Sequence, residues 1–281
     1  MSGPDLTSEQ IDRYSRHILL QEVGVAGQRK LLDSSALVVG AGGLGSPVIL
    51  YLAAAGVGRI GVVDGDTVEL SNLQRQVIHG TSDIDKLKAV SAKEAVTELN
   101  PDCTVEVIPE HLTIENVRQA VANYDIVLDG CDNFPTRFLV ADSCWWENVP
   151  LVSGAVLRFE GQLMTIVPGE GNPCYRCFIP EPPPPGLIPS CQEAGVLGAI
   201  TGVIGTLQVA EALKVLIGQG TPLTRHMQIY DALDCSFIRT RRSPDPECPV
   251  CSESPTITEL IQYDVSCDID EEFDPEELLC D

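Results

Sequence analysis

Two rhythms of apolar residues alternate along this chain. Short apolar runs at residues 36–39, 59–63, 104–109 and 125–129 read as buried strands, since a strand covered on both faces has no polar side. Between them, apolar residues recur at helical spacing in residues 85–100 and 114–122 and in an Ala/Leu-rich stretch beyond Gly45. Pro101 stops the 85–100 helix, and Thr7 with Gln10 makes a capping box ahead of an amphipathic helix, "IDRYSRHILL", that carries Arg13 and Arg16. A turn over residues 129–133 leads into a helix through Trp146; "PLVSGAV", "GQLMTIV" and residues 227–230 are further strands. This alternation predicts an α/β fold: a Rossmann-like, doubly wound, mainly parallel sheet with helices on both faces.

The same pattern divides the chain. N-terminal helices occupy about residues 7–33, a nucleotide-binding core about 35–170, and a C-terminal part about 171–251, which together make one domain over residues 1–251. "TVELSNLQRQVIHG" and the Pro-rich segment 180–189 are loops, because a run of prolines cannot join a sheet or a helix interior. Residues 197–220 form a long buried helix ending at glycine. The uncharged run 34–58 is long enough to span a bilayer, but its six glycines and one proline make it strand, turn and helix.

Charge sharpens the division. Of the net −23, residues 252–281 supply −11, with eleven acids and no lysine or arginine, so an acidic tail is expected to be mobile, with a weak helical stretch near residues 257–261. The remaining −12 disfavours nucleic acid or an anionic membrane as partner, since both require basic patches. The polar N-terminus has no apolar core of a signal peptide, so a cytoplasmic setting is expected.

Eleven cysteines without a secretory signal point to a reducing compartment and to metal or catalytic use. Four of them make two C-x-x-C pairs, Cys174/Cys177 and Cys248/Cys251. Each pair offers two thiolates from one tight turn, and two pairs complete a tetrahedral sulfur shell for a structural zinc, which would staple the C-terminal part.

"GAGGLG" places Gly40, Gly42 and Gly45 in the G-x-G-x-x-G turn, where the backbone approaches a phosphate at a helix N-terminus, and Asp64 ends the next strand at the distance suited to a ribose hydroxyl. Alone, this stretch fits NAD. "SNLQRQ" at residues 71–76 then adds Asn72 and Arg75, and Lys88 follows on the next helix. Hydride transfer has no use for such groups aimed at phosphates, whereas cleavage of ATP needs them to counter developing charge. Asp132 and Asn133 lie at the C-terminal end of a strand, where open α/β sheets bind ligands and where a carboxylate can hold magnesium.

Taken in order, "RYSRH", "GAGGLGS", Asp64 with Asp66, "SNLQRQ", "CDN", "PLVSGA", "CYRC", the "C-x-E-A-G-V" of residues 191–196, "YDA" and "CPVC" resemble the ThiF/MoeB/HesA family over residues 8–251. These are relatives of the ubiquitin-activating enzymes. The resemblance implies that ATP binds against Gly43, with Asp64 on the adenosine ribose. Ser71, Asn72, Gln74, Arg75 and Lys88 would surround the phosphates, Asp132 would coordinate magnesium, and Arg16 would arrive from the partner of a homodimer. The C-terminal glycine of a small ubiquitin-like sulfur-carrier protein ending in Gly-Gly would attack the α-phosphate. Some relatives continue into a sulfurtransferase domain; here sulfur would come from a separate donor, a sulfurtransferase or cysteine desulfurase. Adenylation of a modified tRNA base is the in-family alternative, and a non-catalytic subunit would lack the phosphate-facing residues. Cys191 carries two readings: a thiol that forms a thioester or acyl-disulfide with the carrier, or a small residue at a helix start.

Overall fold

A computed structural model of the chain describes residues 6–184 and 194–263. Its eight strands, β1(Ser35–Val39), β2(Arg59–Val63), β3(Thr104–Ile108), β4(Ile126–Asp129), β5(Leu151–Leu157), β6(Glu160–Ile166), β7(His226–Asp231) and β8(Ser236–Arg241), form one sheet in the order β3-β2-β1-β4-β5-β6-β7-β8. The first five run parallel, and the last three are added antiparallel. The order reverses between β1 and β4, which opens a crevice at the carboxyl ends of these strands.

Every residue of β1 is buried: Ser35, whose Oγ donates to Asp125 Oδ2 at 2.7 Å, and the apolar run 36–39, as a strand covered on both faces requires. Its side chains alternate: Ala36 and Val38 pack with helices α3(Gly24–Asp33), α4(Gly45–Ala55), α5(Lys88–Leu99) and α8(Gly198–Ile217) on one face. Leu37 and Val39 pack with α6(Val117–Ala122) and α7(Phe134–Trp146) on the other. α8 is long and apolar enough to cross a membrane, yet it lies against β5, β6 and α4, half of it buried.

Several boundaries differ from the sequence expectation for identifiable reasons. The N-terminal helix is two, α1(Ser8–Arg13) and α2(Ser15–Ile18), broken at Tyr14, which is 2% exposed and takes a hydrogen bond from Asn100 Nδ2 at 2.8 Å. The capping box of Thr7 and Gln10 is present. α5 starts at Lys88 instead of residue 85, because residues 85–87 fold back on the preceding loop: the Asp85 N–H donates to Val68 O, and Thr67 bridges Leu87. β8 had no counterpart in the expected elements. Residues 257–261 form coil, not helix; Ile257 packs at the cysteine cluster, and Leu260 and Tyr263 pack on the α7 side of the core.

Candidate functional site

The β1–α4 turn forms the floor of the crevice. Gly40 sits at φ 91°, a backbone region that L side chains rarely adopt, and a Cβ on Gly45 would lie 1.9 Å from the Gly40 carbonyl oxygen. Only glycines close this turn. α4 has no side-chain cap; in its first turn Ser46 donates its N–H to Gly42 O at 2.9 Å and Pro47 has no N–H to offer, so the donors open to an anion lie in the preceding glycine turn.

Around this floor the fold gathers groups from distant parts of the chain. Asp64, at the end of β2, accepts the Ala41 N–H through Oδ2 at 2.7 Å and the Asp66 N–H through Oδ1 at 2.9 Å. Burial pushes the Asp64 carboxyl above its ordinary range, and the Ala41 N–H pulls the other way. Asp66 pairs with Lys88 Nζ at 2.8 Å, fixing the ammonium at the start of α5. Ser71 and Asn72 lie in a short 3-10 turn, Leu70–Asn72; Asn72 is buried, and its Oδ1 accepts the Glu69 N–H. Arg75 donates one N–H to Ser71 O at 3.2 Å. A cleft of about 220 Å³ opens beside it, lined by Pro47, Gln74, Val77, Gly198 and Thr201. Gly43 backs onto Arg75 and Thr201: a Cβ there would come within 3.4 Å of Arg75 Cγ and 3.0 Å of Thr201 Cγ2.

The loop after β4 closes the other side of the crevice. Asp132 is exposed, whereas Asn133 Oδ1 accepts the Thr136 N–H at 2.9 Å and caps α7. Beneath it lies a buried network that the sequence did not reveal. Asp129 faces Arg137 Nε at 3.1 Å and accepts from Ser153 Oγ at 3.0 Å and from the Cys131 N–H at 3.0 Å. Arg137 Nη2 donates to Cys131 O and Gly154 O, which holds the Asp132 loop from below. Burial, then the Asp129 charge, pushes the Cys131 thiol well up, so it is a poor nucleophile. His79 also escaped the sequence reading: its Nε2 lies 3.0 Å from Ala41 O and its Nδ1 2.8 Å from Ser91 Oγ. Burial lowers its pKa, so the neutral ring donates to the carbonyl and ties the glycine turn to α5. Its signal, one histidine inside a polar loop, is indistinguishable from a solvated residue until the loop is folded.

Two expected residues stand apart from this set. Cys191 lies outside the described residues. Arg16 is exposed on α2, and its helix docks at the wrong end of α4 and α5 to serve its own site. Arg13 donates to Leu99 O at the end of α5, and Tyr14 covers Gly56 at the C-cap of α4. The glycine turn lies at the opposite end of α4, about 16 Å away at 1.5 Å per residue.

The four paired cysteines meet in space. The Sγ atoms of Cys174, Cys177, Cys248 and Cys251 all lie within 4.8 Å of one another, with individual separations of 3.4 Å (Cys174–Cys248), 3.3 Å (Cys177–Cys251) and 3.9 Å (Cys174–Cys177). A tetrahedral ion with metal–sulfur bonds of about 2.3 Å needs sulfurs about 3.8 Å apart, so the donor set fits a metal. Hydrogen bonds with Cys174, then Cys251, hold the Cys177 thiol far below its ordinary range. The knuckle is anchored to α7 by Arg176, fully buried, whose Nε and Nη2 both bind Asp142 at 2.8–3.1 Å and whose Nη1 donates to Pro180 O at 2.7 Å.

Residues 14–250 match the ThiF family. The chain belongs to that family. Among curated relatives, a sulfur carrier protein adenylyltransferase of Thermus thermophilus is 50% identical over 265 residues, which cover 93% of this chain and 98% of that protein. A SAMP-activating enzyme E1 of Haloferax volcanii is 49% identical over 94% of this chain and 97% of its own length. An adenylyltransferase and sulfurtransferase MOCS3 of Drosophila sechellia is 48% identical, but this chain spans only 58% of it. Among solved structures, E. coli MccB with ATP superposes with a TM-score of 0.74 at 24% identity, covering 85% of this chain and 74% of that one. These matches carry the family's fold onto the sheet and crevice described above.

Proposed function

We propose that this ThiF-family chain is an adenylyltransferase that activates the C-terminal glycine of a small ubiquitin-like sulfur-carrier protein ending in Gly-Gly. The observation that carries the reading is the convergence of the glycine turn, Asp64, the Asp66–Lys88 pair, Arg75 and the Asp132 loop on one crevice. The chain that holds them is half identical, over nearly its whole length, to a sulfur carrier protein adenylyltransferase.

In this reading ATP is a substrate. The carrier's carboxylate oxygen attacks the α-phosphorus, the bond to the β-phosphate bridging oxygen breaks, and pyrophosphate leaves with that electron pair. The glycine turn presents backbone N–H groups to the phosphates, Asp64 accepts the ribose hydroxyls, and Arg75, Asn72 and Lys88 offset the charge that builds on the departing pyrophosphate. Asp132 would hold magnesium, which when bound neutralises the polyphosphate. A second copy of the chain supplies Arg16 across a homodimer interface; the exposed Leu19 and Leu20 beside it are the apolar surface such an interface would cover. A sulfur nucleophile from a separate donor then attacks the carbonyl carbon of the acyl-adenylate, and AMP leaves with the electron pair of the broken acyl–oxygen bond. The four thiols gathered as a metal site, not bridged, favour a reducing cytoplasm.

Carrier-dependent exchange of labelled pyrophosphate into ATP tests the activity. Exchange that proceeds equally without the carrier, or not at all with any Gly-Gly carrier, would remove it.

Zinc is the ion we assign to the four thiolates. Protein purified without added metal is expected to carry about one zinc per chain, and Cys248→Ser is expected to lose most of it. Metal analysis showing under about half an equivalent in the wild type, unchanged by the substitution, would exclude zinc.

A further expectation concerns Cys191. Cys191→Ala is expected to keep pyrophosphate exchange and to lose any covalent adduct with the carrier, read on a non-reducing gel of enzyme, carrier, ATP and sulfur donor. An adduct that survives would move the thiol to another position; exposed Cys235 is then the better candidate, since Cys131 is buried.

A further inference from the structure

Three arginines are buried among the described residues, and two of them face a carboxylate: Arg137 faces Asp129 and Arg176 faces Asp142. The third, Arg242, follows β8 directly and is 4% exposed. Its Nη2 donates to the backbone oxygen of Cys174 at 2.9 Å, while its Nε and Nη1, both shielded from solvent, have no hydrogen-bond partner among the described residues. No ion pair holds it among the described residues. A guanidinium stays protonated, so a buried one with no counter-charge is strongly disfavoured.

The carbonyl that Arg242 binds belongs to Cys174, one of the four clustered cysteines whose Sγ atoms all lie within 4.8 Å of one another. Cys177 and Cys174, then Tyr175, oppose the effect of burial on Arg242. Four thiolates around one divalent ion leave two excess negative charges, in a pocket whose other walls are Trp145, Trp146, Val250 and Ile257. Among the described residues, the backbone group seen to reach a sulfur is the Asp245 N–H, at 3.4 Å from Cys177 Sγ. With the thiols protonated and the metal gone, Arg242 would be a buried cation facing neutral groups.

We propose that Arg242 is the charge partner of the metal-loaded cysteine knuckle, held in place by the Cys174 carbonyl, so that metal binding and burial of this arginine stabilise each other. It acts on the metal through the thiolates' field and not as a ligand. The assignment rests on the zinc reading above and makes a separate prediction from it.

The test uses the full chain and zinc alone, with competition against a chromophoric chelator and thermal unfolding before and after stripping the metal. Arg242→Gln keeps a polar group without the charge and is expected to weaken zinc binding about 10- to 100-fold, the range typical of outer partners of metal ligands. Arg242→Lys keeps the charge and is expected to recover most of that loss. The stripped Arg242→Gln protein is expected to be at least as stable as stripped wild type, although the loaded variant is less stable than loaded wild type. That reversal is the signature of a charge that only the metallated cluster compensates. Equal zinc affinity in wild type and Arg242→Gln would overturn the proposal. So would Arg242→Lys behaving like Arg242→Gln, because the residue would then act by hydrogen-bond geometry alone. Wild-type protein that binds no zinc would instead sink the zinc reading. If Arg242→Gln fails to fold, the Lys variant and its loaded-against-stripped comparison still decide the matter.

Discussion

Replacing Asp132 with alanine is expected to lower carrier-dependent pyrophosphate exchange by about a thousandfold or more, equivalent to about 4 kcal/mol of lost transition-state stabilisation. The fold should survive. Asp132 is exposed and carries no hydrogen bond or ion pair among the described residues, so its truncation leaves no partner stranded. Its loop is held by other groups: the Asn133 cap on α7, the Cys131 N–H on Asp129, and Arg137 on the Cys131 carbonyl. Surface substitutions of that kind usually change stability by no more than about 0.5 kcal/mol. The Asp132→Ala protein should therefore melt with the wild type while its exchange collapses. Asp132→Asn separates charge from shape and should lose nearly as much, since an amide is a weak magnesium ligand. Exchange within about tenfold of wild type at saturating magnesium, with an unchanged melting temperature, would remove Asp132 from the metal role.

The second large effect concerns Arg16. Arg16→Ala is expected to reduce exchange by about a thousandfold, as loss of an arginine finger does. Co-expressing it with Asp132→Ala should restore about a quarter of wild-type activity. The physical ground is the position of α2 at the C-terminal ends of α4 and α5, a helix length from the glycine turn of its own chain. In a twofold dimer that shares its sites, a mixed pair collects both lesions in one site and none in the other. Random mixing makes about half the dimers mixed, and each has one of two sites intact. If Arg16 served its own chain, both sites of every mixed dimer would carry a lesion and nothing would return. Tagged copies of each variant show whether mixed dimers formed, so a missing rescue has one meaning.

Much of the crevice was legible before folding because its local chemistry has few alternatives. A turn that must pass φ 91° at Gly40 and bring the Gly45 Cα against a carbonyl admits only glycine, so "GAGGLG" between a strand and a helix announces itself. The four cysteines were legible for a similar reason: two thiolates from one tight turn have a characteristic spacing. The apolar run 36–39 of β1 read as a two-sided buried strand, and it is one.

Other features depend on groups whose separation in sequence says nothing about their distance. Asp129 lies 24 positions from Ser153 and 79 from Gln208, whose Nε2 donates to the Asp129 carbonyl, and no period in the chain links them. β8 escaped because an edge strand with both faces partly in water need not alternate or stay apolar; Phe237, Ile238 and Arg239 are consecutive and exposed. The tail residues 257–261 carried a faint helical pattern, but Leu260 and Tyr263 gain more by packing on the core, and local propensity yields to that burial.

By itself, then, the sequence determined the α/β alternation, the closing of the glycine turn and the identity of the four sulfur donors. Each of these follows from steric or chemical limits that act over a few residues. Tertiary structure alone decided which end of α4 receives Arg16, that Cys131 is buried against Asp129, and that Arg242 is buried on the Cys174 carbonyl with no carboxylate paired to it among the described residues. Those outcomes turn on the charge and exposure of neighbours brought together across the chain, and such quantities exist only once the sheet has formed.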